Sequence, residues 1–236
     1  MLGPMSVAAL VLAAGRGERF GAAVPKAFVP LAGRPLVLHA LAALAAVPEI
    51  ARVQPVVAAA ELARFEALRP AWGALPKLAP AVAGGAERQD SVRAGLAALP
   101  PGIEWVAVHD AARALVRPED VSRVVAAARE GGAALLAVPV TDTVKRVRGD
   151  VVVETPPREE CWAAQTPQVF RIDLLREALE KAAAEGFVGT DDAQLVERLG
   201  VAVRVVRGDP SNFKLTHAED LLRAERVLAA RGGAAP

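Results

Sequence analysis

Val7–Leu12 is a short apolar run, β-branched at Val7 and Val11, that ends abruptly in Ala13-Ala14-Gly15-Arg16-Gly17. No other stretch limits the possible folds as tightly. An uninterrupted apolar run of this length, bounded by a turn signal, reads as a strand buried on both faces. Such a strand needs helices above and below it. The small residues that follow let the backbone approach a ligand closely and turn N–H groups toward an anion. Arg19 and Lys26 come next, on either side of a segment stiffened by Pro25. Two cations beside a loop of N–H groups suit a polyphosphate.

Rival readings of this loop remain. A dinucleotide fingerprint would place its third glycine at position 20, where Phe20 stands, and Gly21 comes one residue late. A Walker A loop would close on Gly-Lys-Ser/Thr, which is absent. A purely structural turn accounts for the glycines but not for Arg19 and Lys26.

Downstream, apolar runs alternate with amphipathic segments. Helices are expected at Pro35–Ala46, Glu61–Leu68, Arg88–Leu99 and Pro118–Arg129. Strands are expected at Val53–Ala58, Leu78–Val82, Trp105–Val108 and Ala133–Val138. This is the βαβ rhythm of a mostly parallel sheet with helices on both faces, the Rossmann-like α/β class. The rhythm breaks at Pro139. Thr143–Val147 and Val151–Thr155, joined at Arg148-Gly149-Asp150, read as a hairpin. An isolated hairpin is marginal in water, so this one is expected either to pack on a partner subunit as an arm or to lie on its own sheet edge. Trp162–Phe170 reads as irregular, Ile172–Glu185 as helix and Ala202–Val206 as a late strand. Thr190 is the expected cap of a helix carrying Asp191 and Asp192 in its first turn. Thr216-His-Ala-Glu219 reads as a capping box before a final helix with Leu221, Leu222 and Val227 turned inward. Without internal repeats or a low-complexity linker, residues 1–236 are expected to form one domain, with the arm at about 140–160.

Bulk properties narrow the function. A chain of 236 residues, 53% hydrophobic and 23% charged, is core-forming. Net charge of +1 gives no diffuse attraction to nucleic acid or membranes. No apolar run approaches the ~20 residues of a bilayer span. No secretory signal is recognisable, and the expected location is the cytoplasm. Cys161 is the only cysteine, which excludes an internal disulfide and a cysteine-based zinc site.

Four stretches are expected at the carboxyl ends of the strands, where open α/β sheets bind ligands: the glycine loop, Gly84–Ser91, His109–Arg113 and Thr141–Lys145. In the second, Gly85 and Ser91 can read the edge of a flat base while Arg88 presents a donor fork. Helix capping is the competing explanation. Asp110 suits Mg²⁺, which takes one or two carboxylates together with substrate phosphates, unless it simply pairs with Arg113. His109 closes an apolar strand and reads as a packed core residue. Arg158, Thr143 and Lys214 add groups for a second anionic substrate.

Taken together, AAGRGERFG (13–21), PK (25–26), GG..R..SV (84–92), VHDAAR (108–113), DTVK (142–145), QTPQVF (165–170), TDDA (190–193) and N.K.T (212–216) closely resemble the 2-C-methyl-D-erythritol 4-phosphate cytidylyltransferase family of the non-mevalonate isoprenoid pathway. The resemblance implies a nucleotide-diphospho-sugar transferase fold and a β-arm that pairs two subunits. It implies that Arg19 and Lys26 stabilise charge at the CTP α-phosphate, and that Arg158 and Lys214 orient the attacking phosphate. Ala13, Ala14, Gly15, Gly17, Gly85, Arg88 and Ser91 would hold CTP, with Asp110 near the ribose and Mg²⁺. Arg113 and Thr143, the latter from the partner, would bind the polyol phosphate. Three positions depart from the family pattern: Ala27 in place of Gln, Ala114 in place of Pro, and Ala86 in place of an acidic residue. The alternatives are a ribitol-5-phosphate cytidylyltransferase, another sugar-phosphate nucleotidyltransferase, a CTP-sensing regulator without turnover, and an NAD-dependent dehydrogenase.

Overall fold

The computed structural model describes residues 6–15, 20 and 24–232. Its centre is a seven-stranded sheet. In chain order its strands are β1 (Val7–Ala13), β4 (Ile50–Val57), β5 (Val82–Ala83), β6 (Trp105–Asp110), β7 (Ala133–Pro139), β10 (Trp162–Arg171) and β11 (Arg204–Arg207), and their spatial order is β11-β7-β10-β6-β1-β4-β5. All pairings are parallel except those of β10, which runs antiparallel between β6 and β7. Two small ribbons stand apart from the sheet: β2 (Pro30–Leu31) with β3 (Arg34–Pro35), and β8 (Arg146–Arg148) with β9 (Val151–Glu154).

The opening strand is central because its side chains serve two cores. Val7, Ala9 and Val11 face one layer and Leu10 the other, the alternation that a pleat imposes. On the first face lie α1 (Leu36–Ala45), α2 (Leu62–Leu68) and α4 (Pro118–Gly131); on the second lie α3 (Arg88–Ala97), α5 (Ile172–Ala184) and α6 (Asp192–Glu197). The last helix, α7 (Glu219–Ala230), buries Ala224 in a third cluster with Leu31, Leu115 and Leu215. The α4 helix ends where glycine is needed: Gly132 has φ 89°, and its N–H reaches the carbonyl of Ala128.

Several expectations are corrected. Trp162–Phe170 is not irregular but forms β10, inside the sheet. Its sequence hides the strand because Pro167 cannot donate to a ladder, and the register breaks between Ala164 and Gln168 to accommodate it. Leu78 makes only an isolated bridge to Val53, and the third strand shrinks to Val82–Ala83. Asp191, not Thr190, caps α6, accepting from the Gln194 N–H, while Thr190 bonds the Gln194 side chain. The expected capping box before α7 does not form; Asp220 instead accepts from the N–H groups of Thr216 and His217. Leu222 is 64% exposed, although Leu221 and Val227 do pack inward. The hairpin is a sheet of its own rather than an extension of the main sheet edge, and Val151 at its tip is 62% exposed.

Candidate active site

The chain leaves β1 through α1 toward β4 on one side and returns through α3 to β6 on the other. The carboxyl ends of β1 and β6 therefore diverge at a topological switch point, where such sheets bind ligands. A cleft of about 260 Å³ opens there. Ala13, Ala14 and Gly15 line one side, Gly85, Arg88 and Ser91 another, and Lys26, Asp110 and Lys214 project toward it.

The two glycines before α3 are required by close packing. A Cβ on Gly84 would lie 2.6 Å from the Ala14 Cβ and 2.6 Å from the Ser91 Oγ, and one on Gly85 would lie 2.3 Å from the Asp90 Cβ. Ser91 Oγ accepts from the Gly85 N–H at 3.2 Å and fixes this turn against the first loop. Capping is handled separately: Glu87 is the N-cap, and the Asp90 carboxylate accepts from its N–H at 3.1 Å. The segment thus serves both functions that its sequence left open, with different residues assigned to each.

Three charges meet at the rim, and a fourth, Asp192, is buried behind them. Lys214 Nζ donates to Asp110 Oδ2 at 2.7 Å, and Arg88 Nε donates to Asp110 Oδ1 at 3.3 Å. Arg88 Nη1 also donates to Asp192 Oδ2 at 2.6 Å. Burial pushes the Asp110 carboxyl up, but Arg88 and Lys214 outweigh it and hold the group far below the usual carboxylate range. Asp192 moves the other way, because burial raises it more than Arg88 lowers it. Arg88 is desolvated as well, but its two carboxylate neighbours raise its pKa. Asp110 therefore does not pair with Arg113. The Arg113 guanidinium instead donates to the carbonyls of Asn212 at 2.8 Å and Ala164 at 2.9 Å, stitching the Lys214 segment to β10.

His109 is fully buried, as its sequence context indicated. The Asp110 N–H donates to Thr166 Oγ1 at 3.0 Å, and Thr166 Oγ1 lies 3.0 Å from His109 Nδ1. His109 Nε2 lies 3.1 Å from the Arg113 carbonyl, which can only accept. Nε2 therefore carries the proton and Nδ1 accepts from the Thr166 hydroxyl. Burial pushes the imidazole down to about 4, so it stays neutral at pH 7, with both ring nitrogens occupied inside the protein.

Lys26 sits in a 3₁₀ turn, Lys26–Phe28, with its ammonium 5.6 Å from the Phe20 ring centroid. Gly17 and Arg19 lie outside the described residues. The fourth expected stretch is not at the cleft of the single chain. Thr143 is exposed at the base of the arm, and Arg158 donates to the Thr141 carbonyl at 3.2 Å without lining the cleft. Among the described residues, no group of three or more His, Cys, Asp or Glu side chains is placed to hold a metal ion. The sequence reading missed the Asp192–Arg88 contact. Its only local signal is the acidic pair in TDDA, and a bond across 104 positions has no period to reveal it.

Comparison with known proteins gives a consistent result. The family model described as 2-C-methyl-D-erythritol 4-phosphate cytidylyltransferase matches residues 7–230. A protein of that name from Geobacillus kaustophilus is 46% identical over 227 residues, covering 96% of this chain and 99% of its own length. A solved structure of 4-diphosphocytidyl-2C-methyl-D-erythritol synthase from Anaerococcus prevotii superposes with a TM-score of 0.84 at 30% identity, over 95% of this chain and 96% of its own. The 2-C-methyl-D-erythritol 4-phosphate cytidylyltransferase of Thermus thermophilus gives 0.74 at 38% identity, over 96% and 100%.

Proposed function

This chain belongs to the 2-C-methyl-D-erythritol 4-phosphate cytidylyltransferase family, and from that premise we infer that it transfers CMP from CTP to 2-C-methyl-D-erythritol 4-phosphate, releasing pyrophosphate. The observation that carries this reading is the meeting of the glycine loop, Lys26 and the Lys214–Asp110–Arg88 set in one cleft at the sheet's switch point. The substrate phosphate oxygen attacks the α-phosphorus of CTP in line, a P–O bond forms, and the bond to the leaving pyrophosphate breaks. No covalent enzyme intermediate is needed, so positioning and charge stabilisation supply most of the acceleration.

The roles divide by location. Ala13, Ala14, Gly15, Gly85 and Ser91 seat the cytidine, with Gly17 in the same loop, and Arg88 holds the nucleotide side of the rim. Lys26, with Arg19, meets the charge that develops on the α-phosphate. Lys214 and Arg158 orient the attacking phosphate. Arg113 keeps a second N–H on each terminal nitrogen and can offer these to the polyol phosphate while bracing the Lys214 segment. Asp110 is the carboxylate suited to Mg²⁺, since that ion takes one or two carboxylates and completes its shell with phosphate oxygens. When bound, such an ion would neutralise triphosphate charge.

The whole chain is proposed to form one nucleotidyltransferase domain that works in the cytoplasm as a homodimer. No helix among the described residues is long and apolar enough to cross a membrane. The arm supports the dimer: Val147, Val151, Val152 and Val153 are all exposed on a two-stranded ribbon that is marginal by itself. A second copy covering it would bring one protomer's Thr143 to its partner's cleft. Light scattering of the intact chain is expected at twice the chain mass; a monomer would remove the role of Thr143. Pyrophosphate release, measured over CTP, UTP, ATP and GTP against methylerythritol phosphate, ribitol phosphate and hexose 1-phosphates, tests the activity. Highest turnover is expected with CTP and methylerythritol phosphate, and preference for ribitol phosphate, or for UTP with a hexose phosphate, overturns it.

A further inference from the structure

Asp192 is the first residue of α6, only 1% exposed, and does not line the cleft. One of its oxygens takes the Arg88 Nη1 hydrogen bond at 2.6 Å; the other, Oδ1, is buried without a hydrogen-bond partner among the described residues. Burying a carboxylate is costly in general, and such pairs add little net stability. Here the backbone is arranged to keep the group where it is. Gln168 Oε1 accepts from the N–H groups of Asp192 and Ala193 at 3.1 and 2.9 Å, and Gln168 Nε2 donates to Asp191 Oδ2 at 2.7 Å. Gln168 is itself buried on β10. The start of α6 is therefore clamped, and the Asp192 carboxylate is aimed at one target.

That target is shared. Arg88 makes its short contact with Asp192 and its longer one, 3.3 Å, with Asp110, whose other oxygen is taken by Lys214. Attraction falls with separation, so the guanidinium is committed more to Asp192 than to Asp110. We propose that Asp192 is a positioning residue for nucleotide binding: it draws Arg88 back from Asp110, fixes the guanidinium at the cleft wall, and leaves Asp110 Oδ1 weakly held and open to a polar group of CTP. Without the Asp192 charge, Arg88 closes on Asp110, and both are withdrawn from the nucleotide together. The effect falls first on CTP, because Arg88 and Asp110 line the nucleotide cleft, and less on the second substrate, which is reached only through the bond from Lys214 to Asp110.

This inference rests on the cytidylyltransferase reading, and the experiment separates the two. Turnover of CTP and methylerythritol phosphate by the unaltered chain tests the reading; the variants test Asp192. Asp192→Asn keeps the shape and an acceptor but removes the charge. It is expected to raise the CTP Kd by calorimetry, and the CTP KM, by about tenfold, with the polyol phosphate KM changed less than about twofold. In an Asp110→Asn background the further loss on adding Asp192→Asn is expected to vanish, because the two act through one guanidinium. Arg88→Gln, whose shorter amide can still donate to one carboxylate while the guanidinium charge is lost, should reproduce the CTP-selective loss even if Asp192→Asn folds poorly. Equal changes in both KM values with a lowered melting temperature, additivity with Asp110→Asn, or an unchanged CTP Kd in Arg88→Gln would each overturn the proposal.

Discussion

Replacing Lys26 with alanine is expected to lower kcat by about 10²- to 10³-fold, the usual cost of losing one preorganised donor to developing charge. Its effect on the CTP Kd, measured by calorimetry without the second substrate, should stay below about tenfold. The asymmetry follows from the reaction. The triphosphate is already highly charged in the ground state, and Lys26 is one of several cations proposed to meet it, so one ammonium is expected to be a modest part of binding. Charge at the α-phosphorus rearranges during the transfer, and a cation fixed there stabilises the transition state more than the bound substrate. Lys26 is placed for this by its 3₁₀ turn, which starts after Pro25 and buries Ala27 and Phe28 beneath it. The anchoring comes from those apolar neighbours. Lys26→Arg should retain part of the rate because the charge survives. Equal losses in kcat and in CTP affinity would instead identify a nucleotide sensor without turnover.

The second large effect is on stability. His109 has a folded pKa of about 4 against 6.5 in the unfolded chain, because burial disfavours its charged form. Between those values the unfolded state binds more protons than the folded one, so stability rises with pH across the window. Falling from pH 7 to pH 4, the chain should lose about 3 kcal/mol through this residue, with the slope steepest between pH 5 and 6 and close to the binding of one proton. Asp110 acts separately: its folded pKa is depressed, so its contribution is lost only as pH falls below the ordinary carboxylate range. Denaturant unfolding at pH 7, 6, 5 and 4.5 in EDTA would measure the slope. His109→Gln, whose amide can still donate to the Arg113 carbonyl, should flatten it even if the variant is less stable throughout. An unchanged slope in that variant would place the proton uptake elsewhere.

Local pattern carries far in this chain, and it stops at identifiable points. The β1 run, the α3 and α4 helices and the hairpin all follow from neighbours a few residues apart, where periodicity and turn chemistry act. The β10 strand does not, since Gln165-Thr166-Pro167-Gln168 has the composition of a loop. Only the sheet decides otherwise: β6 and β7 on either side supply the partners for its backbone, and polar residues buried there find partners in Asn212, Asp191 and α6.

The candidate site divides along the same line. Residue types and motif order were enough to nominate Lys26, Gly85, Arg88, Ser91, Asp110 and Lys214 and to assign the family, because backbone approach to an anion needs small residues and phosphate needs cations. Which charges pair was decided by the fold alone. Asp110 turns from its near neighbour Arg113 to Arg88 and Lys214, 22 and 104 residues away, and Arg88 reaches on to Asp192. Ion pairing depends on distances of a few ångströms in space, and a linear chain contains those distances only after the sheet has brought its strand ends together.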